Sequence, residues 1–196
     1  MPSPAAWCAM AMCVVATALS VGAAAPQSTD VHGMARAGAS HASDAVVWLD
    51  APNASLAAGR KVVLDQRNLN FSPRVLAVRV GTTVDFPNND RVFHNVFSFR
   101  DGKRFDLGLY PVGSLKRVTF DRPGLSRIFC NIHPNMAAYV MAVDSPYFAV
   151  SDAYGAFTIA AVPSGSYTFH AWHAGTTDLT GTWTSTTGQP LTISWP

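Results

Sequence analysis

Short apolar runs, each followed by a turn signal, recur along most of the chain and set its predicted architecture. Val, Phe and Thr, which favour strands, fill these runs, while Gly, Pro and Asn stand between them. No segment beyond the N-terminal leader has apolar residues at helical spacing. The pattern therefore predicts an all-β fold, an antiparallel sandwich or barrel. The clearest predicted strands are 44–50, 75–80, 91–99, 115–120 and 137–143.

The predicted strand 91–99 has two chemically different faces. Successive side chains of a strand point to opposite sides. One face carries Phe93, Asn95, Phe97 and Phe99, and the other carries Val92, His94, Val96 and Ser98. His94 therefore shares its face with two valines, which predicts that its imidazole points into the protein.

Residues 1–25 have the character of a signal peptide. They contain no charged side chain and end in small residues, so cleavage near Ala23 or Ala24 fits. The basic residue that normally precedes the apolar run is missing, and the run is almost long enough to span a bilayer. We therefore expect an exported protein, periplasmic or secreted. Membrane attachment is expected only if the leader stays uncleaved.

The rest of the chain divides into three predicted segments. Residues 26–43 are rich in Ala, Ser, Gly and His without periodicity, which predicts a flexible linker with His32 and His41 exposed. Residues 60–143 hold the main run of strands. Residues 144–196 are few for an independent sandwich, so we expect this segment to pack on the main unit or to borrow a strand such as 44–50.

Charge indicates no nucleic-acid partner. The formal net charge is only +2 at pH 7. The basic residues between Arg100 and Arg127 are interspersed among predicted strands and turns, which is typical of a solvated face.

Cysteine usage singles out one thiol. Cys8 and Cys13 lie in the leader, so the exported chain keeps Cys130 alone. A lone thiol in an oxidising compartment is either a reactive or ligating group or a buried, inert one. The cysteine count by itself favours neither interpretation.

The stretch CNIHPNM, residues 130–136, adds ligand chemistry to this thiol. Cys130, His133 and Met136 follow one another at intervals of three, between the last two strands of the main unit. Two histidines, a cysteine thiolate and a weak axial methionine are diagnostic of a blue-copper electron-transfer site. The motif alone would arise by chance in many proteins. Its conjunction with His94 on an inward face predicts one metal site made of His94, Cys130, His133 and Met136.

Other candidates receive structural interpretations. Met141 lies within a predicted strand and is expected in the core. His170 and His173 are three apart on a strand, hence on opposite faces, so they do not predict a second metal site. The His-x-His pairs of copper enzymes with further metal ions are absent from the sequence, so we expect no enzyme. Zinc is a poorer match, since methionine is a poor zinc ligand.

Residues 61–143 resemble the cupredoxin family of plastocyanins, azurins, pseudoazurins and amicyanins. The resemblance rests on NND followed by HNV around His94 and on the 130–136 loop, which looks most like the short amicyanin loop. It implies a Greek-key β-sandwich or barrel and one type 1 copper site. His94, Cys130 and His133 would be the equatorial ligands and Met136 the axial one. Asn95 would brace the ligand loop by hydrogen bonding.

The remaining segment resembles a different module. Residues 144–196, together with 44–50, are similar to the small transthyretin-like, carboxypeptidase-regulatory type of β module. The whole arrangement looks like exported plastocyanin-like proteins labelled methylamine-utilisation proteins. The resemblance implies a carrier of single electrons between redox proteins such as a cytochrome c or a dehydrogenase. The alternative is a periplasmic copper carrier or copper-resistance protein that uses the same ligands.

Overall fold

The computed structural model describes residues 28–51, 61–99, 101–185 and 189–196. The predicted signal peptide lies outside these residues. Strands are the only regular secondary structure within the described ranges, so the all-β prediction is confirmed. No helix in those ranges is long and apolar enough to cross a bilayer.

The first nine strands are β1 (Ser28–Ala37), β2 (Ser40–His41), β3 (Val46–Leu49), β4 (Val62–Val63), β5 (Asp65–Arg67), β6 (Asn70–Ser72), β7 (Val75–Arg79), β8 (Thr82–Pro87) and β9 (His94–Ser98). The other nine are β10 (Phe105–Tyr110), β11 (Leu115–Phe120), β12 (Gly124–Phe129), β13 (Ala137–Val143), β14 (Phe148–Val150), β15 (Ala156–Pro163), β16 (Gly165–Trp172), β17 (Leu179–Ser185) and β18 (Leu191–Trp195).

Strands β4 to β13 form a first sandwich. One sheet has the order β10-β9-β12-β13-β7 and the other the order β11-β8-β4, with the hairpin β5-β6 beside them. Large apolar side chains such as Phe86, Phe120 and Ile128 fill the space between the sheets. Their burial supplies the main driving force for this unit.

The other strands form a second sandwich from both ends of the described chain. One sheet has the order β15-β1-β18, with β2 paired to β1, and the other has the order β14-β3-β16-β17. The core between them includes Leu49, Ile159 and Ile193. The strand predicted at 44–50 is thus β3, and it pairs with β14 and β16 of the C-terminal segment.

The prediction of a flexible linker over residues 26–43 is wrong for the part that the structure describes. β1 lies in the middle of its sheet, antiparallel to β15 and parallel to β18. Its inward positions are Val31, Gly33 and Ala35. Two of these three residues are small, so the sequence shows almost no alternation of apolar and polar residues from which a strand could be predicted. Gly33 is needed because a Cβ there would approach the Phe157 ring to 2.2 Å. His32 and His41 are exposed, as predicted.

A third apolar cluster joins the two sandwiches. Val75, Met141 and Val143 on the outer face of the five-stranded sheet contact Val46 and Trp172 of the second sandwich. Met141 is thus a core residue, as its position in a predicted strand indicated. None of residues 130–136 belongs to this cluster.

Candidate metal centre

The loop 130–136 leaves β12 and returns directly into β13. The backbone N–H of Cys130 donates to the carbonyl of Met136 at 3.3 Å, and the N–H of Met136 donates to the carbonyl of His133 at 2.9 Å. These two bonds close the loop on itself between strands that are paired along their whole length. The loop therefore presents its side chains from a fixed frame.

His94 reaches this loop from the neighbouring strand. It is the first residue of β9, which lies next to β12 and pairs with it at Phe97 and Phe129. The imidazole is completely buried, as the strand pattern predicted. In β9, Val96 and Ser98 are also buried on the inward face, whereas Phe93 and Phe99, which flank the strand, are half exposed. Val92 departs from the predicted alternation, because it lies before the strand begins and is exposed.

Three ligand atoms from His94, Cys130 and His133 converge. The two imidazole Nδ1 atoms are 3.0 Å apart, and Sγ of Cys130 lies 3.6 Å from Nδ1 of His133 and 3.8 Å from Nδ1 of His94. A point equidistant from three such atoms lies about 2 Å from each, which matches the bond lengths of about 2.0–2.3 Å that imidazole and thiolate make to a divalent ion. Within the described parts of the chain, this is the one group of three His, Cys, Asp or Glu residues placed to share an ion. The donor set therefore fits a single metal.

The environment of the three ligands is mostly dry. Cys130 is 3% exposed, and Met136, at the end of the loop, is 1% exposed and belongs to the same apolar cluster. His133 is only partly buried and lies nearest the solvent. The exposed loop residues beside it are Asn131, Ile132, Pro134 and Asn135, so the surface around His133 is partly apolar.

Asp90 contacts a candidate ligand, His94, and sequence reasoning did not single it out. Its Oδ2 lies 3.0 Å from Nε2 of His94 and also accepts the backbone N–H of Leu69 at 2.7 Å. The N–H of Arg91 donates to Oδ1. Burial alone would raise the pKa of Asp90, but the two backbone N–H groups and the His94 imidazole outweigh it and hold the pKa at about 2. An ionised carboxylate only accepts, so His94 carries its proton on Nε2 and keeps the Nδ1 lone pair for a metal.

A buried amide holds the turn that contains Asp90. The side chain of Asn88 is fully buried. Its Nδ2 donates to the carbonyls of Val92 and Tyr110, at 2.9 and 3.3 Å, and its Oδ1 accepts the N–H of Asp90 at 3.1 Å. Asn88 therefore fixes both ends of a short turn whose Asp90 must meet His94.

The phenol of Tyr110 stabilises the chain just before the same turn through hydrogen bonds. Gln66 donates to its hydroxyl, and the hydroxyl donates to the carbonyl of Phe86. Burial raises the pKa of Tyr110 to about 12, the charge on Cys130 adds to this rise, and the bond from Gln66 opposes it. The phenol therefore stays protonated and keeps its donor role.

Asn95 does not brace the ligand loop as predicted. Its Nδ2 donates to Oδ1 of Asp106 on β10 at 2.7 Å, and its buried Oδ1 has no hydrogen-bond partner among the described residues. The strand pattern placed Asn95 on the face opposite His94. The side chain of Asp106 contacts Asn95 on that face. The bond therefore joins β9 to β10.

The two histidines of the C-terminal segment, His170 and His173, have different contacts. The ring of His170 stacks on Trp48 with centroids 5.1 Å apart and bonds to Asp50 and Thr180. His173 instead lies against Trp195. The two imidazoles thus have separate surroundings.

Several solved structures are similar to part of the chain. A purple cupredoxin from Nitrosopumilus maritimus matches 42% of this chain and 100% of its own, with 26% identity and a TM-score of 0.39. A copper-containing nitrite reductase from Thermus scotoductus matches 50% of this chain and 25% of its own, with 26% identity and a TM-score of 0.42. An oxidised amicyanin variant matches 50% of this chain and 98% of its own, with 19% identity and a TM-score of 0.40. The chain thus spans about a quarter of the nitrite reductase. No protein-family model and no curated protein matches it.

Proposed function

We propose that His94, Cys130, His133 and Met136 hold one copper ion in a type 1 site, and that the protein carries single electrons. One observation supports this most strongly: a buried thiol lies within 3.8 Å of two imidazole Nδ1 atoms. Thiolate and imidazole together suit copper in both oxidation states, and a buried methionine at the end of the loop supplies the weak axial donor that such sites use. Bound copper would supply the one-electron Cu(I)/Cu(II) couple.

The chain's own residues hold the ligands ready and keep water away. Asp90 fixes the orientation and tautomer of His94. The two hydrogen bonds that close the loop set Cys130 and Met136 before an ion binds. Since the surrounding side chains are packed and buried, the ligands move little between oxidation states, and the reorganisation that accompanies electron transfer is small.

Electrons would enter and leave through the partly exposed His133. The exposed loop residues Ile132, Pro134 and Asn135 adjoin it in the sequence and would form the docking surface for a redox protein such as a cytochrome c or a dehydrogenase. We propose that this exchange takes place in the periplasm or outside the cell, where the predicted leader would direct the chain. The proposal is a carrier and not an enzyme, because the sequence has none of the His-x-His pairs that copper enzymes use for further metal ions.

A copper titration of the purified protein tests the proposal. One Cu(II) per chain should bind and produce an intense visible thiolate-to-copper band, with a matching paramagnetic-resonance signal. Repeated reduction and oxidation should retain the ion. Rapid loss of Cu(I) to an acceptor would instead indicate a copper carrier or copper-resistance protein, and a copper-loaded protein without the band would contradict the type 1 assignment.

Asp90→Asn should weaken copper binding without unfolding the protein. The amide is nearly the same size as the carboxylate but neutral, so the imidazole of His94 loses its charged acceptor and becomes a weaker donor. We expect copper affinity to fall about 10- to 100-fold, measured by competition with a chelator, and the reduction potential to rise.

Asp121→Asn is the matched control for this prediction. Asp121 also accepts from a nitrogen donor, the ammonium group of Lys103, but it is exposed and precedes β12, whereas Cys130 follows the other end of that strand. Copper affinity should stay at the wild-type value. Equal affinities of the Asp90→Asn variant and the wild type would show that the carboxylate does not support His94.

A further inference from the structure

A cavity lies between the two sandwiches, away from the metal ligands. It has a volume of about 710 Å³. One wall comes from β12 and β13, at Leu125 and Met141, and the other from β3 and β16, at Trp48 and His170. Leu125 precedes Cys130 by five residues of extended chain, or roughly 16 Å along the strand. The cavity is therefore a separate site and not an extension of the metal centre.

The inner part of this cavity is apolar and aromatic. Leu125, Met141 and Trp172 belong to the apolar cluster that joins the two sandwiches. The ring of Trp48 is held by its stack on His170, with an angle of 16° between the planes. Nδ1 of His170 bonds to Thr180 and Nε2 to Asp50, so the imidazole and the indole are fixed together. A ligand would meet preformed aromatic walls.

The outer part of the cavity is acidic, although the whole chain has a net charge of +2. The charged residues among the described ones that line it are four carboxylates and one guanidinium: Asp50, Asp101, Asp144, Asp178 and Arg127. Asp50 is engaged by His170 at 3.0 Å. The remaining charge is still negative, and it lies beside low-dielectric apolar walls that strengthen its field.

We propose that this cavity binds an organic cation with an apolar, preferably aromatic, body. The apolar part would lie against Trp172, Met141 and Leu125, and the charged nitrogen would face the carboxylates and the indole ring of Trp48. Tryptophan is the aromatic side chain that attracts cations most strongly, and the acidic rim repels anions. The volume lies within the usual range of about 300–1,000 Å³ for small-molecule sites, which suits a molecule larger than a simple alkylamine.

Calorimetric titration with benzyltrimethylammonium tests this inference. We expect saturable binding of one molecule per chain, with binding of benzyl alcohol and of phenylacetate at least about tenfold weaker, one factor of ten being about 1.4 kcal/mol. Binding should also weaken as salt is added. Tryptophan fluorescence should change on titration, since two indoles line the cavity. Absence of binding, or equal binding of the neutral probe, would overturn the proposal.

A double variant, Asp144→Asn with Asp178→Asn, locates the site. Neither carboxylate is hydrogen-bonded within the core, so the variant should keep the wild-type circular dichroism and melting temperature. Affinity for the cation should fall about tenfold, whereas Asp30→Asn, in the sheet of the second sandwich that does not line the cavity, should leave it unchanged. Unchanged affinity of the double variant would overturn the assignment to this cavity. The copper spectrum is a separate readout, because the cavity contains no metal ligand, so failure of either proposal leaves the other standing.

Discussion

Cys130→Ser should abolish the visible thiolate-to-copper band completely. Serine keeps the size and the capacity for hydrogen bonding but removes the sulfur whose electrons give the absorption. A hydroxyl is also a poor copper ligand at neutral pH. Removing a residue that only supports a ligand lowers metal affinity up to about 100-fold, so removing the ligand itself should lower copper affinity by at least that factor. Absorption spectroscopy and a chelator competition on the same samples measure the two effects.

Met141→Leu is the control for this experiment. Met141 is a buried sulfur residue, but it lies in the cluster between the sandwiches and has no place near the converging ligands. Leucine conserves its volume, so both the fold and the copper band should be retained. An intense band in the Cys130→Ser variant, or its loss from Met141→Leu as well, would contradict the copper site proposed for His94, Cys130 and His133.

Gly155→Ala should destabilise the protein by about 2–5 kcal/mol. Gly155 has φ of +76°, and a Cβ there would lie 2.3 Å from the carbonyl oxygen of Ala35 on β1. The backbone conformation costs about 1–2 kcal/mol for a residue with a Cβ, and the clash adds an overpacking cost of about 1–3 kcal/mol. β1 cannot move aside easily, because the N–H of Ala35 donates to the carbonyl of Gly155 at 2.8 Å. Urea denaturation followed by circular dichroism measures the loss.

Gly175→Ala separates the two contributions. Gly175 has a similar φ of +84°, but no atom lies within 4 Å of an added Cβ. This variant should therefore lose only the conformational part, about 1–2 kcal/mol. Equal free energies of unfolding for the two variants would contradict the close contact between β1 and the turn before β15.

The ligand loop and the remote histidine were predictable because their signals are local. Cys130, His133 and Met136 stand in one loop between two apolar strands, and the alternation of β9 shows which way His94 points. The same alternation placed Asn95 on the other face, and its bond to Asp106 follows from that placement. The bracing role assigned to Asn95 came from a family resemblance, and the structure gives it a different partner.

Asp90 and β1 were not predictable in the same way. Asp90 stands in a turn, where aspartate is common for reasons of backbone conformation, so its bond to His94 becomes visible only once Asn88 is seen to fix that turn. A carboxylate four residues before a candidate ligand was the one available signal. The strand β1 could not be predicted, because the inward residues Gly33 and Ala35 are too small to give a visible alternation of apolar and polar positions. Alternation also carries no information on which strands a given strand pairs with.

The origin of the second sandwich from two distant stretches of sequence implies an order of events in time. Ser28 pairs with Pro163, and Gly33 with Leu191, so apart from the two-residue strand β2 the partners of β1 lie more than 100 residues further along the chain. The first sandwich, in contrast, is built from one continuous stretch. Since pairing between remote segments is slow, we expect His94, Cys130 and His133 to come together early, and β1 to join its sheet only once β15 and β18 are available.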